Sequence, residues 1–405
     1  MSYESSASVV LTARPSHVPE DLVYPLEHYN SDAFLQDPVG FWDELRDHRR
    51  VFWSPFHGGF WCLTRYEDIH EAFQRSDLFS SRMQAIPGRE VRMLPITLDP
   101  PDHTKYRHLL NRPFGPANVR AFAGDIRSLC RSLIDQVCGE GRCDFVKAIA
   151  RPVPTEIFLR FLGLPPDDTD RFLDWNQTIL HVQDDAEGQA AKDLATSQVS
   201  VYLREQIAER TKNPGDDLIS ILLATELDGV PLPEEDVLAF AVLLFIAGLD
   251  TVTSAMGFCW AFLAGNPEYR RQIVEEPGLI PSAIEELLRY HSFVADGRYI
   301  TCDVEFAGVS MRAGERIMLP TAAADRDPRQ FPHADIVDFH RNPNRHLAFA
   351  AGPHRCLGSH LARLEMTIAM EEWHSRIPDY RLEEGATVQF HGGGVAGPDH
   401  LNLVF

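Results

Sequence analysis

The clearest pattern along the chain is one apolar run, Val237 to Leu249 (VLAFAVLLFIAGL), set behind a strong helix start. Pro233 stands at the first turn, where its missing amide costs nothing, and Glu234, Glu235 and Asp236 meet the positive end of the helix dipole. The pattern predicts a helix that runs to Ala264 and is stopped by Gly265-Asn266-Pro267. The apolar run falls short of the ~20 residues a membrane span needs, so it reads as a buried core helix.

Amphipathic spacing predicts further helices at Pro38 to His48, Tyr66 to Arg75, Val119 to Cys138, Arg151 to Leu162, Ala190 to Arg210 and Pro281 to Tyr290. Another runs from Leu357 to Arg376, with Leu357, Leu361, Leu364 and Ile368 on one face. Val51 to Leu63 is rich in aromatic and β-branched residues around a Gly-Gly turn and predicts a hairpin. Arg298 to Leu319, broken by Gly308 and Gly314, and the end of the chain predict short strands. Residues 1 to about 20 are expected to be disordered. No linker, repeat or low-complexity tract divides the remainder, so residues 21–405 are expected to form a single large domain, mainly α with a minor β component.

Hydrophobic residues make up 44% of the chain, enough for a large core. The formal charge of −21 repels phosphate backbones and argues against nucleic acid as a partner. The seven cysteines are odd in number and scattered, so neither a disulfide framework nor a paired-cysteine metal site is expected. The start, MSYESSASVVLTARP, has acid where a signal peptide needs base, and its apolar stretch is short; a cytoplasmic protein without a membrane anchor is expected.

The most specific segment is Phe349-Ala-Ala-Gly-Pro-His-Arg-Cys356-Leu-Gly358. Here a cysteine lies immediately before a helix, so the amides of Leu357 and Gly358 can point at its sulfur and favour thiolate over thiol. Gly352 and Gly358 would let a planar group approach the backbone closely. The pattern F-x-x-G-x-H-x-C-x-G resembles the haem-binding signature of the cytochrome P450 monooxygenases. Phe79-Ser-Ser81, Leu98-Asp-Pro-Pro101, Gly248-Leu-Asp-Thr-Val252 and Val294-Ala-Asp-Gly-Arg298 resemble the bacterial camphor-hydroxylase group within that family.

That resemblance implies haem b with Cys356 as the iron ligand, between a long central helix and a proximal helix. A thiolate ligand pushes electron density that favours O–O cleavage. It further implies that Gly248 opens room for dioxygen, while Asp250 and Thr251 manage proton delivery to it. His103, Arg107, Arg298 and His354 then suit the two haem propionates, and Phe349 and Gly358 complete the cofactor site. Read alone, each cation would be a surface charge. Glu286 and Arg289, three apart on a helix, read locally as an exposed ion pair; in the family such a pair is internal and joined by a downstream arginine, here Arg341.

By the same resemblance the substrate pocket should include Ala85, Val91, Leu243, Ile246, Val294 and Val395. Val91 stands where the camphor group has a tyrosine that donates to a ketone, and Ala85 where it has an aromatic. The expected substrate is therefore a small apolar terpenoid bulkier than camphor, such as an ionone. The expected partners are dioxygen and, with no flavin domain following Phe405, a [2Fe–2S] ferredoxin with its NADH-dependent reductase, acting on a monomer. A non-catalytic haem gas sensor and a peroxide-driven peroxygenase are the alternatives; the Asp250-Thr251 pair disfavours both, since a sensor has no need of proton delivery and peroxygenase relatives usually lack the acid–alcohol pair.

Overall fold

The computed structural model describes residues 11–88, 91–182 and 186–405. Its centre is a 32-residue helix, Glu234–Gly265, buried on nearly every side. It is the one described helix long and apolar enough to cross a membrane, and 78% of its most apolar stretch is packed inside the protein. The acids at its start find partners: the Tyr106 hydroxyl donates to Asp236 at 2.7 Å, and Arg92 pairs with the same carboxylate.

Two apolar clusters share this helix. On one side Val252, Met256, Trp260 and Leu263 pack against helices Ala123–Val137, Ile280–Tyr290 and Ser359–Arg376. On the other, Phe240, Leu244 and Leu249 pack against helices Pro152–Leu162, Thr169–His181 and Ala186–Lys212. A helix that touches core on two faces must be apolar all round, which explains why its sequence reads as a run and not as a stripe.

The β component is a five-stranded sheet in the order Val51–Ser54, Phe60–Leu63, Arg316–Pro320, Ala295–Ile300, Phe79–Ser80, with four smaller sheets of two or three strands. The first two strands form the expected hairpin, with Val51 opposite Leu63. Gly58 and Gly59 turn it at φ +84° and +82°, and a Cβ on Gly59 would come within 2.6 Å of the Trp53 ring. Gly308 and Gly314, also at positive φ, separate the later strands. The Ala295–Ile300 strand places Arg298 opposite Ile317, and so carries its guanidinium into the interior.

Two expectations change. Residues 11–20 are not disordered: Val18 is fully buried against the sheet cluster, and the Thr12 amide donates to the Pro55 carbonyl at 2.8 Å. Residues 1–10 lie outside the described residues. The expected helix Val119–Cys138 is two, Pro116–Ala121 and Ala123–Val137, hinged at Phe122, whose ring packs on Phe161. Helix Pro267–Glu275 follows directly on the central helix, because the proline that ends one helix sits at the first turn of the next.

Candidate functional site

A cavity of about 270 Å³ opens between the central helix and the segment Phe349–Gly358. One wall is Leu243, Leu244, Ala247, Gly248 and Thr251; facing it are Phe349, Cys356, Leu357 and Gly358, backed by Leu361, Ala362, Glu365 and Met366 of the following helix. The sheet closes one edge with Val294, Asp296 and Arg298.

The cysteine wall is built by short-range geometry. Gly352 starts a single 3-10 turn, Gly352–His354, at φ +68°, and a Cβ there would sit 2.4 Å from the Phe73 carbonyl. Gly352 is therefore required by its packing on helix Tyr66–Gln74, not by approach to a planar ligand. The Cys356 amide donates to the Phe349 carbonyl at 2.9 Å and closes the loop. The helix begins at Ser359, with Gly358 as its cap, and the Gly358 amide hydrogen-bonds the Cys356 sulfur. That sulfur opens into the cavity yet lies deep inside the protein. Burial pushes the thiol above its usual range, while the Gly358 amide and the guanidinium groups of Arg107, Arg363 and Arg355 pull it down. A Cβ on Gly358 would meet only the sulfur, at 4.0 Å, so this glycine keeps the cavity floor flat.

The edge of the cavity gathers four nitrogen-bearing side chains from three parts of the chain. His103 and Arg107 come from helix Asp102–Asn111, Arg298 from the sheet and His354 from the cysteine loop. The two imidazoles lie against each other with ring centres 4.1 Å apart. Burial, then Arg298, His103 and Arg107, push His354 down to about 2; burial and then Arg107 push His103 down to about 4. His103 Nδ1 and both ring nitrogens of His354 are buried and lack a hydrogen-bond partner. Arg298 is 2% exposed and donates to Gln84 Oε1 at 3.1 Å and the Gly297 carbonyl at 2.7 Å. Arg107 Nη2 donates to the Arg355 carbonyl at 2.6 Å. The buried Arg298 and the half-buried Arg107, beside orphaned ring nitrogens, form a site for anionic oxygens, which would supply the missing partners and raise both histidines.

On the helix wall, Thr251 faces the cavity and its hydroxyl donates to the Ala247 carbonyl at 3.0 Å. Asp250 is buried but does not line the cavity. Gly248 lines the cavity, and a Cβ there would meet the Phe158 ring at 2.9 Å. The glycine makes room for Phe158 as much as for a ligand.

The expected substrate pocket is only partly assembled. Leu243 and Val294 line the cavity. Ile246 is turned into the second core cluster, and Val395 bridges to Val294 through the backbone from outside the lining. Ala85 packs its backbone against Gly297. Val91 is 43% exposed, because Arg92 is drawn to Asp236 at the helix start while Leu94 is buried. The loop instead contributes Gln84, Pro95 and Ile96, and Phe114, Phe158, Phe293 and Thr321 complete the lining. Nothing in the local sequence marks Phe158 or Thr321; they meet the cavity only through tertiary packing.

Glu286 and Arg289 are both fully buried. Arg289 donates Nε and Nη2 to the Glu286 carboxylate at 2.9 and 2.8 Å, and Arg341 Nε adds a bond at 3.0 Å. The Asp338 amide and Asn344 Nδ2 complete the shell at 2.9 and 3.1 Å. The exposed ion pair that the local sequence allows is excluded.

A largely helical fold with a cysteine and an apolar helix on opposite cavity walls, and cations at the edge, defines a haem-thiolate protein. The family model for cytochrome P450 matches residues 52–373. A probable cytochrome P450 127A1 of Sinorhizobium fredii is 35% identical, covering 96% of each chain. The steroid C26-monooxygenase of Mycobacterium tuberculosis is 34% identical over 80% of this chain and 82% of its own. The crystal structure of CYP101J2 superposes with a TM-score of 0.90 at 30% identity, covering 98% of this chain and 100% of that one. The chain belongs to the cytochrome P450 family; it is a haem-thiolate monooxygenase whose cofactor is haem and which uses dioxygen and a redox partner. The orphaned nitrogens at the cavity edge and the flat floor at Gly358 fit that cofactor.

Proposed function

We propose that this enzyme hydroxylates a compact, apolar terpenoid-like substrate, with Cys356 as the haem ligand and a [2Fe–2S] ferredoxin as electron donor. The observation that carries the reading is the placement of Cys356 and Thr251 on opposite walls of one cavity. Haem held there would supply oxygen activation, assisted by electron density from a thiolate. Arg107, Arg298, His103 and His354 would hold its propionates, since their nitrogens gather at the cavity edge. The wall around Thr251 is Leu243, Leu244, Ile96, Phe158 and Val294, which suits a hydrocarbon skeleton. The resemblance of four motifs to the camphor-hydroxylase group supports the terpenoid class. The ferredoxin is expected to dock on the cysteine side, where Arg355, beside Cys356, is exposed.

Thr251 holds a hydroxyl proton at the cavity wall, parked on Ala247, and Asp250, buried one residue earlier, is proposed to resupply it. Thr251→Ala should still bind substrate and consume NADH, but product formed per NADH should fall at least ~tenfold, with hydrogen peroxide replacing it. Measuring NADH, peroxide and product together with ferredoxin present decides the matter. Unchanged coupling would remove Thr251 from proton delivery. Equal turnover with peroxide alone would point to a peroxygenase.

A further inference from the structure

Away from the cavity, one pair of side chains in the core is set for chemistry that hydroxylation does not use. Tyr380 is 2% exposed, and its hydroxyl lies 3.1 Å from His374 Nε2. His374 Nδ1 is 2.8 Å from the Met370 carbonyl, which can only accept, so the ring proton sits on Nδ1. Burial pushes His374 down to about 4, so the ring is neutral and Nε2 carries a lone pair. The buried phenol therefore donates to a base.

Side chains that give up electrons readily join this pair to the cofactor site. Helix Ser359–Arg376 carries Met366, which lines the cavity, then Met370 and His374 at successive i+4 positions, with Trp373 beside them. From Met366 to His374 the helix rises only ~12 Å. The Trp373 ring centre lies 5.8 Å from that of Tyr380 and 6.5 Å from that of Trp260 on the central helix, and Trp260 lies 6.0 Å from His374. The indole N–H groups of Trp260 and Trp373 are buried and lack an acceptor among the described residues. An indole that loses an electron there keeps its proton and becomes a cation in a dry core, which is costly. It can relay a charge but not hold it. Tyr380 can hold one, because its proton has a base to go to. Beyond it, the Arg270 guanidinium lies 4.8 Å over the Tyr380 ring and pairs with the exposed Asp379.

We propose that Tyr380 is a redox-active tyrosine that drains oxidising equivalents from the haem when no substrate takes them, with Trp373 and Trp260 as relays and His374 as the proton acceptor. Hydrogen peroxide, or dioxygen activated with the pocket empty, leaves the haem centre short of electrons. One electron passes from the Tyr380 phenol through Trp373 to that centre, which is reduced by one. The phenolic proton moves to His374 Nε2. The products are a neutral phenoxyl radical on Tyr380 and an imidazolium on His374. Arg270 opposes that imidazolium, and Asp379, paired with Arg270, offsets the repulsion.

The test mixes substrate-free ferric holoenzyme with hydrogen peroxide, freezes it rapidly and records the electron paramagnetic resonance spectrum. A tyrosyl signal is expected, coupled to nitrogen when histidine alone is isotope-labelled. Tyr380→Phe, which removes a single oxygen atom, should lose that signal, and its haem should bleach several-fold faster under peroxide. His374→Leu keeps the phenol without its base and should lose the signal too. Both should keep the thiolate-type carbon monoxide band, since neither residue lines the cavity. The labelled, unaltered enzyme needs no substitution, so it decides the assignment even where a variant fails to fold. A tyrosyl signal undiminished in Tyr380→Phe, a signal without coupling to histidine nitrogen, or no tyrosyl signal at all would overturn the assignment. Loss of the signal in Tyr380→Phe with an unchanged rate of bleaching would overturn the draining role.

Discussion

Cys356→Ser is expected to abolish product formation and to remove the thiolate-type band of the ferrous carbon monoxide complex. The sulfur is reached through a loop that the Cys356 amide closes onto Phe349, with the Gly358 amide bonded to it and three guanidinium groups nearby. Those groups favour a thiolate once a metal ion replaces the proton, offsetting the burial that raises the thiol. A serine hydroxyl would need far more help to ionise, and it donates electron density poorly. The substitution removes almost no volume, so the fold should persist and the loss should be chemical. Circular dichroism matching the unaltered protein, with the band gone, is the expected result. Retention of the band would transfer the ligand role to another cysteine.

Glu286→Gln should be the most damaging substitution away from the cavity, costing ~3–5 kcal/mol. The carboxylate accepts from Arg289, Arg341, Asn344 and the Asp338 amide, all around a residue with no exposure. Glutamine keeps the shape but turns one acceptor into a donor facing other donors, and leaves two guanidinium groups short of a counter-charge. The damage should reach the cofactor site. Arg289 also donates to the Asp325 carbonyl at 2.9 Å, and the Asp325 carboxylate accepts from the Leu347 amide at 2.6 Å, just before the Phe349–Gly358 segment. Against a typical total of ~5–15 kcal/mol, the loss should appear as low yield and low haem content. Urea unfolding measures it; a midpoint shift worth under ~1 kcal/mol at constant slope would mean that the network is dispensable.

Legibility in the sequence followed the range of the interaction. The central helix could be read to within a residue, because its proline, acids and Gly-Asn-Pro stop are local signals. The cysteine loop was legible for the same reason, although Gly352 serves packing on Phe73 rather than the cofactor. Helix Thr169–His181 was missed. Its start signal, Pro165-Pro166-Asp167-Asp168, went unread, and its burial depends on Phe172 meeting Tyr202 and Phe245 from other helices. The substrate wall was the least legible part. Position-by-position likeness placed Val91 in the cavity, whereas the pull of Asp236 on Arg92 and the burial of Leu94 turn that stretch outward.

The most direct measurement is the ferrous carbon monoxide spectrum of a chain in which Cys62, Cys130, Cys138, Cys143, Cys259 and Cys302 are all alanine, leaving Cys356 as the sole thiol. Ligation through Cys356 requires the thiolate-type band at full intensity per haem. A band at the position of a histidine-ligated haem would contradict it.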